Sequence, residues 1–278
     1  MKLENNTKNF VVGIVLYNED KKFKDKINML IDNNYLVYIY DNSPDSKYTR
    51  NYLSNKTNES IRYYTSGQNV GLGVAMSTIS AQAYYHDFDF MFFLDQDTTI
   101  SANTLLFINS LKKCIDINRY TALSISNDGI NDITIAHNNS NIEIKDVLLI
   151  RNSGSLFNLK NLKKINWFDV SYFVDGVDYE FSLRSNIYGY KVGLIKNVPG
   201  FDHISEQGYS QYSLLGLKIF NREYGVNRIK DIFKSSIRLI LKSIINRKFN
   251  FLYVLTKNTS VFFIIQFIIK ISKKEKNE

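Results

Sequence analysis

Residues 88–97 read Phe-Asp-Phe-Met-Phe-Phe-Leu-Asp-Gln-Asp. The apolar run Phe88–Leu94 predicts a strand buried on both faces, and Asp95 and Asp97 predict that it stops at a polar rim. The pattern recurs upstream. Phe10–Leu16 (FVVGIVL) runs into Tyr17-Asn18, and Tyr35–Tyr40 (YLVYIY) runs into the turn Asp41-Asn42-Ser43-Pro44. Ile61–Tyr64 reads as a further strand. Between the strands, Lys21–Asn33 spaces Phe23, Ile27, Leu30 and Ile31 as a helix does, and Gly71–Tyr85 reads as another helix. Strands alternating with helices predict an α/β domain with a mostly parallel central sheet flanked by helices. In such sheets ligands bind beyond the carboxyl ends of the strands. Tyr17-Asn18, Asp41-Asn42 and Asp95-Gln96-Asp97 therefore mark a candidate site.

The second half is more mixed. Thr121–Asn127 and Ile142–Ile150 read as strands around an Asn-rich loop, and Ser153–Phe157 as another short strand. Asp178–Tyr188 reads as a helix, and Tyr190–Lys196 as a strand after the turn at Gly189. From about Ser213 the pattern is helical to the end. This predicts a main domain over residues 1–212, whose regular alternation ends near residue 100. Residues 213–278 form a helical extension.

The 278-residue chain is 44% hydrophobic and 22% charged, a globular composition. One cysteine, Cys114, excludes a disulfide framework and a thiolate zinc cluster, which fits a reducing compartment. The first residues, MKLENNTKNF, show no apolar signal-peptide core, which argues against secretion. The net charge of +8 is uneven: residues 218–278 hold 14 Lys and Arg against 4 Asp and Glu, a balance of +10 that leaves −2 for residues 1–217. A basic tail on a near-neutral body speaks against nucleic acid as partner and for an anionic membrane surface. Arg228–Arg247 has apolar residues at helical spacing between its cations, the pattern of an interfacial helix. Val261–Ile271 is strongly apolar but short of the roughly 20 residues that span a bilayer. Packing on the catalytic domain or in a homo-dimer would use the same faces.

Two carboxylates one residue apart at a strand end, Asp95 and Asp97, suit a hard divalent cation shared with a diphosphate, though a solvated turn uses the same residues. Asp175, Asp178 and Glu180 crowd six residues between apolar neighbours, where burial and like charge raise a carboxyl pKa toward that of a general base. Helix capping by Asp178 and an Arg184–Glu180 ion pair are the structural readings of the same segment. Asn69-Val70-Gly71-Leu72-Gly73 lacks the spacing of a dinucleotide fingerprint or a P-loop, but permits close backbone approach. His203 follows a strand and, taken alone, is more often structural than a ligand.

In order, Val15–Asn18, Tyr40–Ser43, Asn69–Ala75, Phe93–Asp97, Ser153–Ser155 and Phe173–Arg184 resemble the family 2 glycosyltransferases of GT-A (Rossmann-like) fold. The Asp95-Gln96-Asp97 form is most similar to the rhamnosyltransferase-like branch. The resemblance runs from about Phe10 to His203. It implies that Asp41 recognises the nucleotide base, with Tyr17, Asn18 and Asn42 lining that pocket. Asn69 and Gly71 would lie beside the nucleotide, with Asp95 and Arg184 at the nucleotide sugar. Asp95, Asp97 and His203 would hold Mg²⁺ or Mn²⁺. Asp178 would be the catalytic base, with Asp175, Glu180, Ser153 and Gly154 on its acceptor or supporting side. The implied reaction is inverting transfer from dTDP-rhamnose or a UDP-sugar to a surface polysaccharide or lipid-linked glycan. The implied location is the cytoplasm, at the inner face of the membrane. Ser77, Asn152 and the Ile204-Ser205-Glu206 sequence after His203 depart from the family's usual residues. A nucleotidyltransferase would need a Gly-rich phosphate loop where Tyr17-Asn18-Glu19-Asp20 stands. A non-catalytic nucleotide-sugar-binding module would not need Asp95, Asp97 and Asp178 together.

Overall fold

The computed structural model describes residues 10–18, 23–45, 47–54, 60–111, 117–125, 143–196, 202–203, 210–214 and 217–277. The chain divides into two compact units, residues 1–203 and 204–278.

The first unit opens with the expected alternation: β1 (Phe10–Leu16), α1 (Phe23–Asp32), β2 (Val37–Asp41), α2 (Lys47–Ser54), β3 (Ile61–Thr65), α3 (Leu72–Tyr85) and β4 (Phe90–Asp95). It continues through β5 (Thr98–Thr99), α4 (Ala102–Leu111), β6 (Tyr120–Ile125), β7 (Glu143–Val147), β8 (Ser155–Asn158), α5 (Leu159–Lys164), α6 (Val177–Ile187), β9 (Lys191–Lys196) and β10 (Asp202–His203). Residues 126–127 and 142 of the expected 121–127 and 142–150 strands fall outside the described residues, and β7 ends at Val147, short of the expected Ile150.

One sheet carries eight strands in the order β3-β2-β1-β4-β8-β6-β9-β7. Its first half is wholly parallel, with Leu16 level with Asp41, Val15 level with Asp95 and Asp41 level with Thr65. The second half is mixed, because β8 runs antiparallel to both β4 and β6, and β7 antiparallel to β9. This reversal serves the site. The amino end of β8 lies at the same edge as the carboxyl ends of β1, β2 and β4, so Asn152-Ser153-Gly154 arrives beside Asp95. Phe10, Phe92 and the other inward residues of β1, β2 and β4 form the buried core with Phe23, Ile27 and Leu30 of α1. Buried strands on both faces need such continuous apolar runs.

The site's second constraint is a contact between backbones. Gly71 has φ +88°, and a Cβ there would lie 2.8 Å from the Phe173 carbonyl oxygen. A Cβ on Gly73 would lie 2.6 Å from the Asp169 carbonyl oxygen. The Leu72 N–H donates to Phe173 O at 2.5 Å, and Ser77 Oγ donates to Phe168 O at 2.9 Å. The loop that leads into α6 is thus seated on the turn that opens α3.

The second unit corrects one expectation. Its residues are not helical from Ser213. The segments β11 (Ser210–Leu214) and β12 (Leu217–Asn221) pair antiparallel, with Tyr212 opposite Ile219. The two five-residue segments satisfy their backbone groups by pairing with each other. Helices follow: α7 (Val226–Ile245) and α8 (Phe249–Asn277).

Gly71→Ala and Gly73→Ala are each expected to lower unfolding free energy by about 2 kcal/mol or more, through backbone overlap and, at 71, the positive φ. Gly225→Ala, with nothing within 4 Å of the new Cβ, is expected to be near neutral. Urea titration of the three variants checks this, and equal stability of all three would refute the close-approach argument.

Candidate active site

Four strand ends and two loops form the site, joined by side chains that bond to backbone. The Asn18 N–H donates to Ser43 Oγ at 2.9 Å, tying the end of β1 to that of β2. The Tyr17 N–H donates to Gln96 Oε1 at 2.7 Å, tying β1 to β4. Asn42 Oδ1 accepts from the Val70 N–H at 2.8 Å, and Asn69 Oδ1 from the Gly71 N–H at 3.0 Å. Ser153 Oγ accepts from the Asp95 N–H at 2.9 Å, while Gly154 N–H donates to Phe93 O at 2.9 Å. Chain segments as distant as 18, 42, 69, 95 and 153 are therefore held to one edge. The backbone of His203 arrives there too, paired with Thr98 just after the acidic turn. Its side chain lies outside the described ones.

The expected nucleotide residues divide by exposure. Tyr17 presents its ring to solvent at 47% exposure. Asp41 is 0% exposed, and its carboxylate accepts from the Ser43 N–H at 2.9 Å and the Tyr63 hydroxyl at 2.8 Å. Asp41 thus braces the turn at the pocket floor. Asn42 is also buried, with its side chain on the Asn69 loop.

The acidic turn has a cation beneath it. Lys26 Nζ donates to Asp95 O at 2.7 Å and Gln96 O at 2.6 Å. Nothing in the spacing of Lys26, on α1, distinguished it from a solvated helix lysine. No cluster of three His, Cys, Asp or Glu able to hold a metal occurs among the described residues. Asp95 and Asp97 are partly exposed and offer two carboxylates. Magnesium is usually held by one or two carboxylates, completed by water and substrate phosphates, so this donor set fits a cation that arrives with a diphosphate.

Asp178 and Glu180 share the first turn of α6 and have different surroundings. Gly176, with φ 91°, turns the chain into the helix. The carboxyl of Asp178 is raised to about 6, chiefly by burial and further by Asp175, against the lowering effect of the Tyr179 and Asp178 N–H groups and of Arg151. Its Oδ1 accepts from the Tyr179 N–H at 2.9 Å. Glu180 is gripped by Arg184 through two bonds, Nε to Oε1 at 2.8 Å and Nη2 to Oε2 at 2.9 Å. Arg184 also donates to the carbonyls of Ile165 and Trp167. Arg184, expected at the nucleotide sugar, clamps α6 to the preceding loop, with 9% of its side chain exposed. Arg151, which sequence reasoning passed over, is the cation that acts on Asp178. Asn152 Oδ1 is buried and has no hydrogen-bond partner.

This fold is the GT-A fold of glycosyltransferases. It is similar to S. aureus TarS 1–349 in complex with UDP-GlcNAc (TM-score 0.55, 16% identity, covering 84% of this chain and 66% of that one). The corresponding values for the longer S. aureus TarS are 0.54, 15%, 84% and 39%. For GalNAc-T7 with UDP, GalNAc and Mn²⁺ they are 0.56, 13%, 82% and 47%. The chain thus spans less than two thirds of the length of each. No curated protein matches it. Residues 11–112 match the model of the family described as Glycosyl transferase family 2.

Two stability outcomes follow. Arg184→Met leaves the buried Glu180 carboxylate without its partner and is expected to cost about 3–5 kcal/mol. A loss under about 1 kcal/mol in urea titration would contradict the clamp. Asp178 has a folded-state pKa above its ordinary value, so its contribution is full below about pH 4 and is lost as pH rises through about 6. Asp178→Asn is therefore expected to raise Tm relative to wild type at pH 7.5 but not at pH 4.

Proposed function

We propose that the protein is an inverting glycosyltransferase that moves a sugar from a nucleoside diphosphate donor to a hydroxyl of a cell-surface polysaccharide or lipid-linked glycan. The observation that carries this reading is the Asp178 carboxyl, poised near pH 6 in the first turn of α6, in a chain whose residues 11–112 match the Glycosyl transferase family 2 model. At neutral pH Asp178 is ionised and takes the proton from the acceptor hydroxyl, whose oxygen attacks the anomeric carbon opposite the diphosphate. A single displacement by one base inverts that carbon. Asp95 and Asp97, with His203 adjoining, would hold Mg²⁺ or Mn²⁺. Such an ion neutralises the charge of the departing diphosphate. Tyr17 offers a face for the base to stack on, and Asp41, Asn42, Asn18, Asn69 and Gly71 shape the pocket around it. Asn152 Oδ1 awaits a hydroxyl donor, which a sugar supplies. Ser153, Gly154, Asp175 and Glu180 hold the acids in place.

UDP in the complexes of TarS and GalNAc-T7 supports a UDP-sugar, and Mn²⁺ in the latter supports the metal. The rhamnosyltransferase-like Asp95-Gln96-Asp97 keeps dTDP-rhamnose as the other donor. In this reading residues 1–100 serve the nucleotide sugar, residues 101–212 the acceptor, and the basic extension 213–278 the inner face of the cell membrane. A homo-dimer is compatible with it.

A screen of UDP-sugars and dTDP-rhamnose for metal-dependent donor turnover tests the function. Turnover of at least one donor with Mg²⁺ or Mn²⁺ is expected, with loss in EDTA and in a folded Asp97→Ala protein. No turnover of any donor, or full activity in Asp97→Ala, would refute it. Asp178→Asn is expected to reduce turnover by about a hundredfold or more, with donor affinity by calorimetry unchanged. Wild-type kcat/KM should climb with pH through about 6, because only the ionised carboxylate accepts a proton. A profile flat from pH 5 to 8 would exclude Asp178 as the base.

A further inference from the structure

Helices α7 and α8 form an antiparallel pair across the turn at 246–248. Near the turn the Lys248 N–H donates to Ser243 O at 2.8 Å. Farther out Phe233 meets Phe263 edge-on at 5.8 Å, and at the open end Tyr224 meets Phe262 at 5.5 Å. Polar residues lie inside this unit. The buried positions of α7 are Ser235, Leu239 and Ser243, and α8 buries Gln266 and Ser272 beside its apolar residues. Gln266 spends its amide on the Tyr224 N–H and the Arg222 carbonyl.

The outward residues include an apolar stripe. Phe233, Ile237, Leu241 and Ile244 recur at intervals of four, four and three along α7, and each is at least 41% exposed. On α8, Tyr253, Ile264 and Phe267 are each at least 58% exposed. The pair buries Leu239, Phe251, Leu255 and Ile269 as its own apolar seam, and the exposed Phe, Ile and Leu side chains lie outside that seam. Exposed apolar faces of this extent mark a surface with a partner.

Charge identifies the partner. Lys234 and Arg238 each follow an exposed apolar residue by one position, about 100° around the helix, so cations line the apolar stripe. Between Val226 and Ser272 there are nine Lys and Arg and a single acid, Asp231. A second copy of this face would set like charges against each other. Anionic headgroups above acyl chains match both the cations and the stripe. The segment Phe249–Ser272, 24 residues with mean hydropathy 1.6, is long and apolar enough to cross a bilayer. It extends the 261–271 run, because Lys257-Asn258-Thr259-Ser260 interrupts the hydropathy without interrupting the helix. That polar quartet at mid-helix favours lying in the interface over crossing it.

We propose that α7 and α8 form an interfacial hairpin, with Phe233, Ile237, Leu241 and Ile244 among the acyl chains of an anionic bilayer and Lys234 and Arg238 at its headgroups. This rests on the membrane contact proposed above and names the surface that makes it. It is independent of which sugar is transferred.

Flotation of the full chain with phosphatidylglycerol–phosphatidylcholine vesicles, and with pure phosphatidylcholine vesicles, tests it. The wild type is expected to partition to the anionic vesicles at least tenfold more strongly, with high salt weakening but not abolishing binding. Ile237→Gln/Leu241→Gln replaces two exposed side chains, keeps the helix by circular dichroism, and should lose at least tenfold on both vesicles. Lys234→Gln/Arg238→Gln should lose about fivefold per cation on anionic vesicles only. If the wild type floats with neither vesicle, the membrane reading and this surface both fall. If it floats and Ile237→Gln/Leu241→Gln floats equally, only this surface is overturned. A wild type that ignores vesicles but sediments as a dimer split by Ile237→Gln/Leu241→Gln would assign the face to a second copy and overturn the proposal.

Discussion

The contact of the Asn69–Gly73 turn with the Asp169–Phe173 loop is the constraint on which the active site depends. Two glycines permit it: side chains at 71 and 73 would occupy the space of the Phe173 and Asp169 carbonyls. The bond from Leu72 N–H to Phe173 O, and the Ser77 bond to Phe168 O, then fix the loop. Gly176 turns that loop into α6, so the position of Asp178 follows from backbone packing about a hundred residues upstream. The sheet supplies the other half of the frame. Three adjacent parallel pairings bring the ends of β1 to β4 level, and the reversed β8 delivers Ser153 to Asp95 at the same edge.

Two carboxylates in one helical turn show how environment assigns roles. Glu180 faces a guanidinium fork that satisfies both its oxygens, and the pair locks α6 to the carbonyls of Ile165 and Trp167. Asp178 has no such fork. It keeps two backbone N–H donors and the influence of Arg151, and burial with Asp175 nearby outweighs them. Groups whose environments push their proton affinities apart are candidates for separate structural and chemical roles. The cost is local: the ionised Asp178 destabilises the fold that holds it.

The second unit follows a different rule. Its helix pair buries Ser235, Ser243, Gln266 and Ser272 beside Leu239, Phe251, Leu255 and Ile269, and leaves further Phe, Ile and Leu side chains outside. The same chain therefore contains one part with a continuous buried apolar core and another whose described helices expose apolar and basic side chains.

Periodicity alone located β1 to β4, α1, α3 and α6, because strands buried on both faces are written as continuous apolar runs. The strand-end acids and the acidic cluster before α6 were equally legible, since few structural needs put carboxylates beside Phe and Val. The basic, amphipathic character of the C-terminal part was also plain from composition. Three things were decided only in three dimensions. The β11–β12 hairpin escaped notice because short alternating segments are ambiguous between strand and helix. The Arg184–Glu180 pair was already a reading of their spacing, but the bonds of Arg184 to two carbonyls, and of Asp41 to Ser43 and Tyr63, depend on where side chains point, which spacing leaves open. Lys26, Arg151 and the orphaned Asn152 oxygen carried no local signal at all. Tertiary packing alone brought Lys26 to the acidic turn and Arg151 within the field of Asp178, because a single residue's partners lie far away in sequence and only the assembled sheet makes them neighbours.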